Sequence, residues 1–185
     1  MKKSLLPLVV AAVAVSLSAC APKTVTRTDP TYETAAADRF LGANRAAIDT
    51  LTEGMTRANF GDAPVLVATI VNVNDLRRSA PLGRTLSEQY SARLAQRGFN
   101  VKELKLRGTV FVQEGTGELL LSREVQEIAR AHNATAVLVG TYSAAANVTY
   151  VNLKLVRTAD QRILRAHDYT LPNDRDVRRL LSGTN

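Results

Sequence analysis

Along the chain, short dense apolar runs alternate with stretches in which apolar residues recur at three- and four-residue steps. The first run, 5–15, follows Lys2 and Lys3 and is closed by "LSAC" at 17–20. It is about half the ~20 residues that a spanning helix needs, and Pro7 weakens it further. Residues 21–32, APKTVTRTDPTY, have two prolines and no apolar period, which predicts an extended tether. Over 33–58 the chain is Ala-rich, and Phe40, Leu41, Ile48, Leu51 and Met55 make one apolar stripe. That spacing predicts an amphipathic helix, weakened or broken at Gly42 and Gly54.

The run 63–73, APVLVATIVNV, is nearly all apolar and β-rich, which predicts a strand covered on both faces, as in a parallel or mixed sheet. Leu82, Leu86, Tyr90 and Leu94 at strict four-residue spacing predict a helix that Gly98 terminates in the left-handed C′ position. Ser79 with Pro81 would cap an early start, and Thr85 with Glu88 a late one. A strand at 99–106 follows, and 108–121 offers a short strand before a Gly115–Gly117 turn. Ser122 caps a helix running to about His132, with Glu124 in its first turn and Asn133 as terminator. Strands at 134–142, 147–157 and 161–171 come next, the last two joined by Thr158, Ala159, Asp160 and Gln161. A basic helix at 174–182 ends the pattern. The order α-β-α-β-(β)-α-β-β-β-α predicts a single mixed-sheet α/β sandwich, with parallel elements first and a C-terminal antiparallel meander.

The amino-terminal layout is that of a secretory signal: basic residues, a short apolar run, then small residues. The chain has a single cysteine, Cys20, and an ordinary signal would leave it as an idle thiol. The alternative resembles a bacterial lipoprotein signal, with Leu17, Ser18 and Ala19 as the signal-peptidase recognition residues and Cys20 as first residue of the mature chain. That resemblance implies diacylglyceryl transfer to the Cys20 sulfur, the thiolate being a far better nucleophile than a hydroxyl, and acylation of the new amine. Two or more chains give the stable anchoring that one acyl chain does not. Ala21, where aspartate would retain a lipoprotein in the inner membrane, favours the outer membrane by resemblance to enterobacterial lipoproteins. The expected organisation is a signal peptide at 1–19, a lipidated tether at 20–32 and one domain at 33–185, with its core at 63–172.

Charge changes this picture little. The full sequence of 185 residues carries +7, and loss of 1–19 removes Lys2 and Lys3, leaving 22 basic against 17 acidic side chains, or +5. A mildly basic exported domain suits anionic envelope partners such as peptidoglycan or lipopolysaccharide. Only Arg77 with Arg78 and the arginines at 175–179 cluster, and aromatics are not interleaved with them. No nucleic-acid platform is expected.

Candidate chemistry is sparse. The two histidines, His132 and His167, belong to no HExxH or close pair, so no metal site is expected. No G-x-S-x-G elbow occurs. GTGE at 115–118 lacks the GK[ST] ending of a phosphate loop and suits a hairpin turn. Glu114, Glu118, Glu124 and Glu127 read as solvated carboxylates, and Tyr142 and Tyr150 as core or sheet-rim residues. Gly140 interrupts an apolar strand, which marks a bulge or a close backbone approach. No catalytic residue and no cofactor is expected.

From 63 to 172 the chain resembles the FlgO domain, named for a flagellar outer-membrane lipoprotein. The resemblance rests on VLVATIVNVNDL (65–76), SAPLGRTLSEQ (79–89) and LAQRGFNVKEL (94–104), followed in order by GELLLSRE (117–124), AVLVGTY (136–142) and VNLKLV (151–156). One departure is the hairpin after 157, where the family leads one to expect glycine and none stands. The resemblance implies a non-enzymatic outer-membrane lipoprotein supporting flagellar assembly, stability or motility through contacts with ring components and neighbouring copies. Related α/β domains occur in TolB and in the curli-secretion lipoprotein, so service in another envelope assembly, such as secretion or adhesion, stays open beside it. A small-ligand or hydrolytic periplasmic domain is the third reading, and it requires a pocket with converging polar groups.

Overall fold

A six-stranded mixed sheet organises the chain. The computed structural model describes residues 39–76, 80–104, 111–113 and 119–183. Its elements are α1 (Arg39–Leu51), β1 (Val65–Val67), β2 (Val71–Asn72), α2 (Pro81–Gln96), β3 (Val101–Glu103), β4 (Phe111–Gln113) and β5 (Leu119–Leu121). There follow α3 (Arg123–Ala131), β6 (Ala136–Ala144), β7 (Val148–Arg157), β8 (Ile163–Pro172) and α4 (Arg175–Ser182). The sheet runs β3-β1-β6-β7-β8, with β2 pairing β6 beyond the end of β1. Pairings of β1 with β3 and of β1 and β2 with β6 are parallel, and β6-β7 and β7-β8 are antiparallel. This is the mixed α/β architecture expected, parallel first and meander last.

Two apolar clusters lie on opposite faces of the sheet, as the alternation of side chains along a strand requires. Val65, Val67, Leu138, Val151 and Leu153 pack with Ile48 and Leu51 of α1 and with Leu82, Leu86, Tyr90 and Leu94 of α2. Leu66, Val137, Val139 and Val156 pack with Val125 and Ala129 of α3. The crossover helices α2 and α3 therefore cover opposite faces, and β1 is buried at all three positions, as its unbroken apolar run predicts.

Several elements differ from the sequence pattern, each for a local reason. The expected helix at 33–58 is helical at Arg39–Leu51, and Gly54 lies beyond its end at φ 70°; residues 33–38 lie outside those described. The expected strand at 63–73 is two strands, interrupted at 68–70. There the Ser87 hydroxyl accepts from Ile70 N at 3.0 Å and reaches the carbonyl oxygens of Ala68 and Gly83 at 3.3 and 2.8 Å. These contacts satisfy backbone groups that the broken ladder leaves free. Three residues of this chain segment, 68–70, pass only two of β6, 139–140, before pairing resumes, so the break has the geometry of a bulge.

Helix α2 starts early, with Pro81 at its first position and no side-chain cap at Ala80, so Thr85 and Glu88 form no capping box. Gly98 takes φ 87° after it, as expected. Ser122 caps α3 by accepting from Val125 N at 3.3 Å, and Asn133 follows at φ 50°. The stretch 108–121 holds two short strands instead of one, β4 and β5, paired antiparallel in a separate sheet; the turn at 114–118 lies outside the described residues. In the β7-β8 hairpin, Gln161 occupies the left-handed slot at φ 58°, where a glycine was expected. Arg157 N donates to Arg162 O at 2.8 Å and Arg162 N to the Asp160 carboxylate at 3.2 Å, which fixes the turn without glycine.

Candidate functional site

Among the described residues, those the sequence singles out do not converge. Leu17, Ser18, Ala19 and Cys20 lie outside the described residues, as do Arg77, Arg78 and 114–118. His132 is the exposed C-cap residue of α3, whereas His167 lies on β8, stacked on Tyr169 with centroids 6.1 Å apart. Among the described residues neither histidine hydrogen-bonds to a carboxylate or hydroxyl, and no group of three or more His, Cys, Asp or Glu is placed to hold a metal. Glu124 and Glu127 sit on α3, the latter exposed.

Tyr142 is buried, and its hydroxyl accepts from Ala80 N at 3.3 Å at the start of α2. Tyr150 stands 51% exposed on the opposite face of the sheet. Gly140 is the close approach its position predicts. A Cβ there would lie 2.6 Å from Asn152 O and 2.9 Å from Leu153 Cδ2.

The tertiary structure builds two polar clusters that the sequence pattern does not announce. Asn44 of α1, inside that helix's apolar stripe, is buried and donates to Gln89 Oε1 of α2 at 2.6 Å. Its own oxygen accepts from the Tyr169 hydroxyl, which in turn contacts the Tyr90 hydroxyl. Tyr169 has one proton and gives it to Asn44, so Tyr90 is the donor to Tyr169. Burial pushes both phenols above their usual range. Beside this relay, Arg93 of α2 makes two bonds to the Asp49 carboxylate, at 2.9 and 2.7 Å, and Arg97 adds a third at 3.1 Å. The bond from Arg93 holds Asp49 below the usual carboxylate range, against the opposing effect of partial burial. Both clusters join α1 to α2, and the relay extends to β8. They orient elements. The available sequence signal is a polar residue, Asn44, inside an apolar stripe.

Among the described residues, grooves indent the surface. One of about 430 Å³ lies between the start of α2 and the end of α4, and one of about 370 Å³ lies between α3 and the β7-β8 hairpin. The third, about 230 Å³, lies at the carboxyl ends of β1 and β3, where open α/β sheets place ligands, and is lined by Arg84, Glu88 and Glu103. It is smaller than the ~300 Å³ at which small-molecule pockets begin, and its Ser87 hydroxyl is engaged with backbone.

Comparison with solved structures finds the same fold in the LpoB C-terminal domain from Salmonella enterica, with TM-score 0.52 and 15% identity, covering 72% of this chain and 98% of that one. The Escherichia coli LpoB C-terminal domain matches at TM-score 0.49 and 14% identity, with the same coverage of 72% and 98%. TolB from Acinetobacter baumannii matches at TM-score 0.39 and 16% identity, covering 65% of this chain and 29% of that one. A search of curated proteins found no match. The family model described as FlgO protein matches residues 45–176, from the middle of α1 to the first turn of α4. With most of its length matched in this way, the chain belongs to the FlgO family.

Proposed function

We propose that this chain is a lipid-anchored protein of the outer membrane, facing the periplasm, whose α/β unit acts in flagellar assembly, stability or motility as an interaction module and not as an enzyme. Membership of the FlgO family over 45–176 carries the reading. The stretch "LSAC" supports the anchor: residues 1–19 are removed, Cys20 is lipidated, and 20–32 tether a domain at 33–185. Extended at ~3.3 Å per residue, the twelve residues after Cys20 reach roughly 40 Å, enough to hold the domain off the leaflet. The partners implied are flagellar ring components, further copies of the chain and peptidoglycan, the last suited to the net +5 of the mature side chains.

The anchor is tested by Cys20→Ser in cells fed labelled palmitate. Loss of label and release from the membrane fraction are expected, and a variant that stays labelled and membrane-bound refutes the lipid anchor. The flagellar role is tested by deleting the gene and restoring it with the native or the Cys20→Ser chain. Impaired swimming rescued only by the native chain is expected. Normal swimming with intact rings would transfer the anchored module to another envelope assembly, such as secretion or adhesion.

A further inference from the structure

Strands β7 and β8 present unlike faces. One sends Val151, Leu153, Leu155 and Leu171 into the core with α1 and α2. The other is covered by α3 only as far as Val156. Beyond it no described element covers the face: Tyr150 and Ile163 are 51% and 54% exposed, two of the three large apolar side chains exposed among the described residues, while Asn152 and Lys154 between them are half-buried. Register places Tyr150 opposite Thr170, Asn152 opposite Asp168, Lys154 opposite Ala166, and Val156 opposite Ile163. Along the face the order is therefore apolar, acidic, basic, apolar: Tyr150, Asp168, Lys154, Ile163. Neither Lys154 nor Asp168 forms an ion pair within the described residues.

We infer that this open β7-β8 face is a self-association surface, on which a second copy stacks face to face about a two-fold axis lying across the strands. Such an axis reverses strand direction. It brings Tyr150 of one copy towards Ile163 of the other, and Asp168 within side-chain reach of Lys154 of the second copy. The charge order is self-complementary under that one operation, and neither charge has an ion-pair partner among the described residues. At ~4.8 Å between strands and ~3.4 Å per residue, two ten-residue strands offer at most roughly 330 Å². A stable interface needs about 800 Å² per partner, so the association is reversible and weak. The inference stands independently of the flagellar reading.

Sedimentation velocity between about 10 μM and 1 mM tests it, on the chain from Ala21 onward, which lacks the cysteine and keeps the whole compact unit 38–185. The native chain is expected to shift towards the dimer with concentration. Lys154→Asp or Asp168→Lys alone, which set like charges opposite one another, should weaken the dimer about tenfold or more. The exchanged pair Lys154→Asp with Asp168→Lys should restore it, which excludes misfolding as the cause. A native chain that stays monomeric at about 1 mM overturns the inference, and so do single reversals that dimerise like the native chain.

Discussion

Gly140 shows how one residue sets the geometry of the sheet centre. It stands where parallel pairing between the β1-β2 segment and β6 lapses, and the backbone of β7 closes to within contact distance of it. Asn152 O at 2.6 Å from a built Cβ is main chain and cannot rotate aside. Gly140→Ala should therefore destabilise the fold by about 1–3 kcal/mol, read as a lower urea midpoint, because overpacking a filled site displaces backbone or side chains. The glycine in an apolar strand was legible in the sequence; the atoms it admits were not, since Asn152 and Leu153 reach it through β6-β7 pairing. Gln161 makes the converse point. Its left-handed backbone is uncommon for a non-glycine residue, and the hairpin hydrogen bonds around it hold it there.

Elements are locked together by the relay Tyr90, Tyr169, Asn44 and Gln89. Its direction predicts an asymmetry between two similar substitutions. Tyr169→Phe leaves the Asn44 oxygen without a donor and the Tyr90 hydroxyl without an acceptor, and should cost about 2–4 kcal/mol. Tyr90→Phe removes only one of the Tyr169 oxygen's partners and should cost about 1 kcal/mol. The raised phenols add a pH dependence. Unfolded tyrosine ionises near pH ~10, whereas the folded phenols hold their protons to higher pH. Above pH ~10 the folded state thus binds more protons than the unfolded one, so this contribution is complete below pH ~10 and is lost as pH rises further. Denaturation followed from pH 9 upward should fall less steeply in either Phe variant than in the native chain. A Tyr169→Phe chain as stable as Tyr90→Phe would refute the direction of the relay.

For the whole molecule, α4 closes the helical layer. Val177 is buried, and Leu180 and Leu181 pack against the same core cluster as α1 and α2. Ending the chain after Asn173 removes these side chains and should cost about 3 kcal/mol of stability, measured by urea denaturation. The Asp174 carboxylate that caps α4 at Val177 N, 2.8 Å away, follows the preference for aspartate at that position and was open to sequence reasoning. That α4 seats against α2 was not, because its short, charge-rich segment gives no sign of which neighbour its apolar side meets.

The sequence by itself determined the elements and their order, because apolar periodicity, caps and terminating glycines act within a few residues of one another. It determined the mixed sheet as well, through unbroken apolar runs that only two-sided burial explains, and it carried the family in ordered motifs. Tertiary structure decided what local pattern cannot encode: the interruption at 68–70 stitched by Ser87, the relay joining three elements and the exposed face of β7 and β8. Each depends on groups 17 to 125 residues apart, or on which strand faces lie bare once the helices are packed. Long-range pairing, and not residue type, chose them.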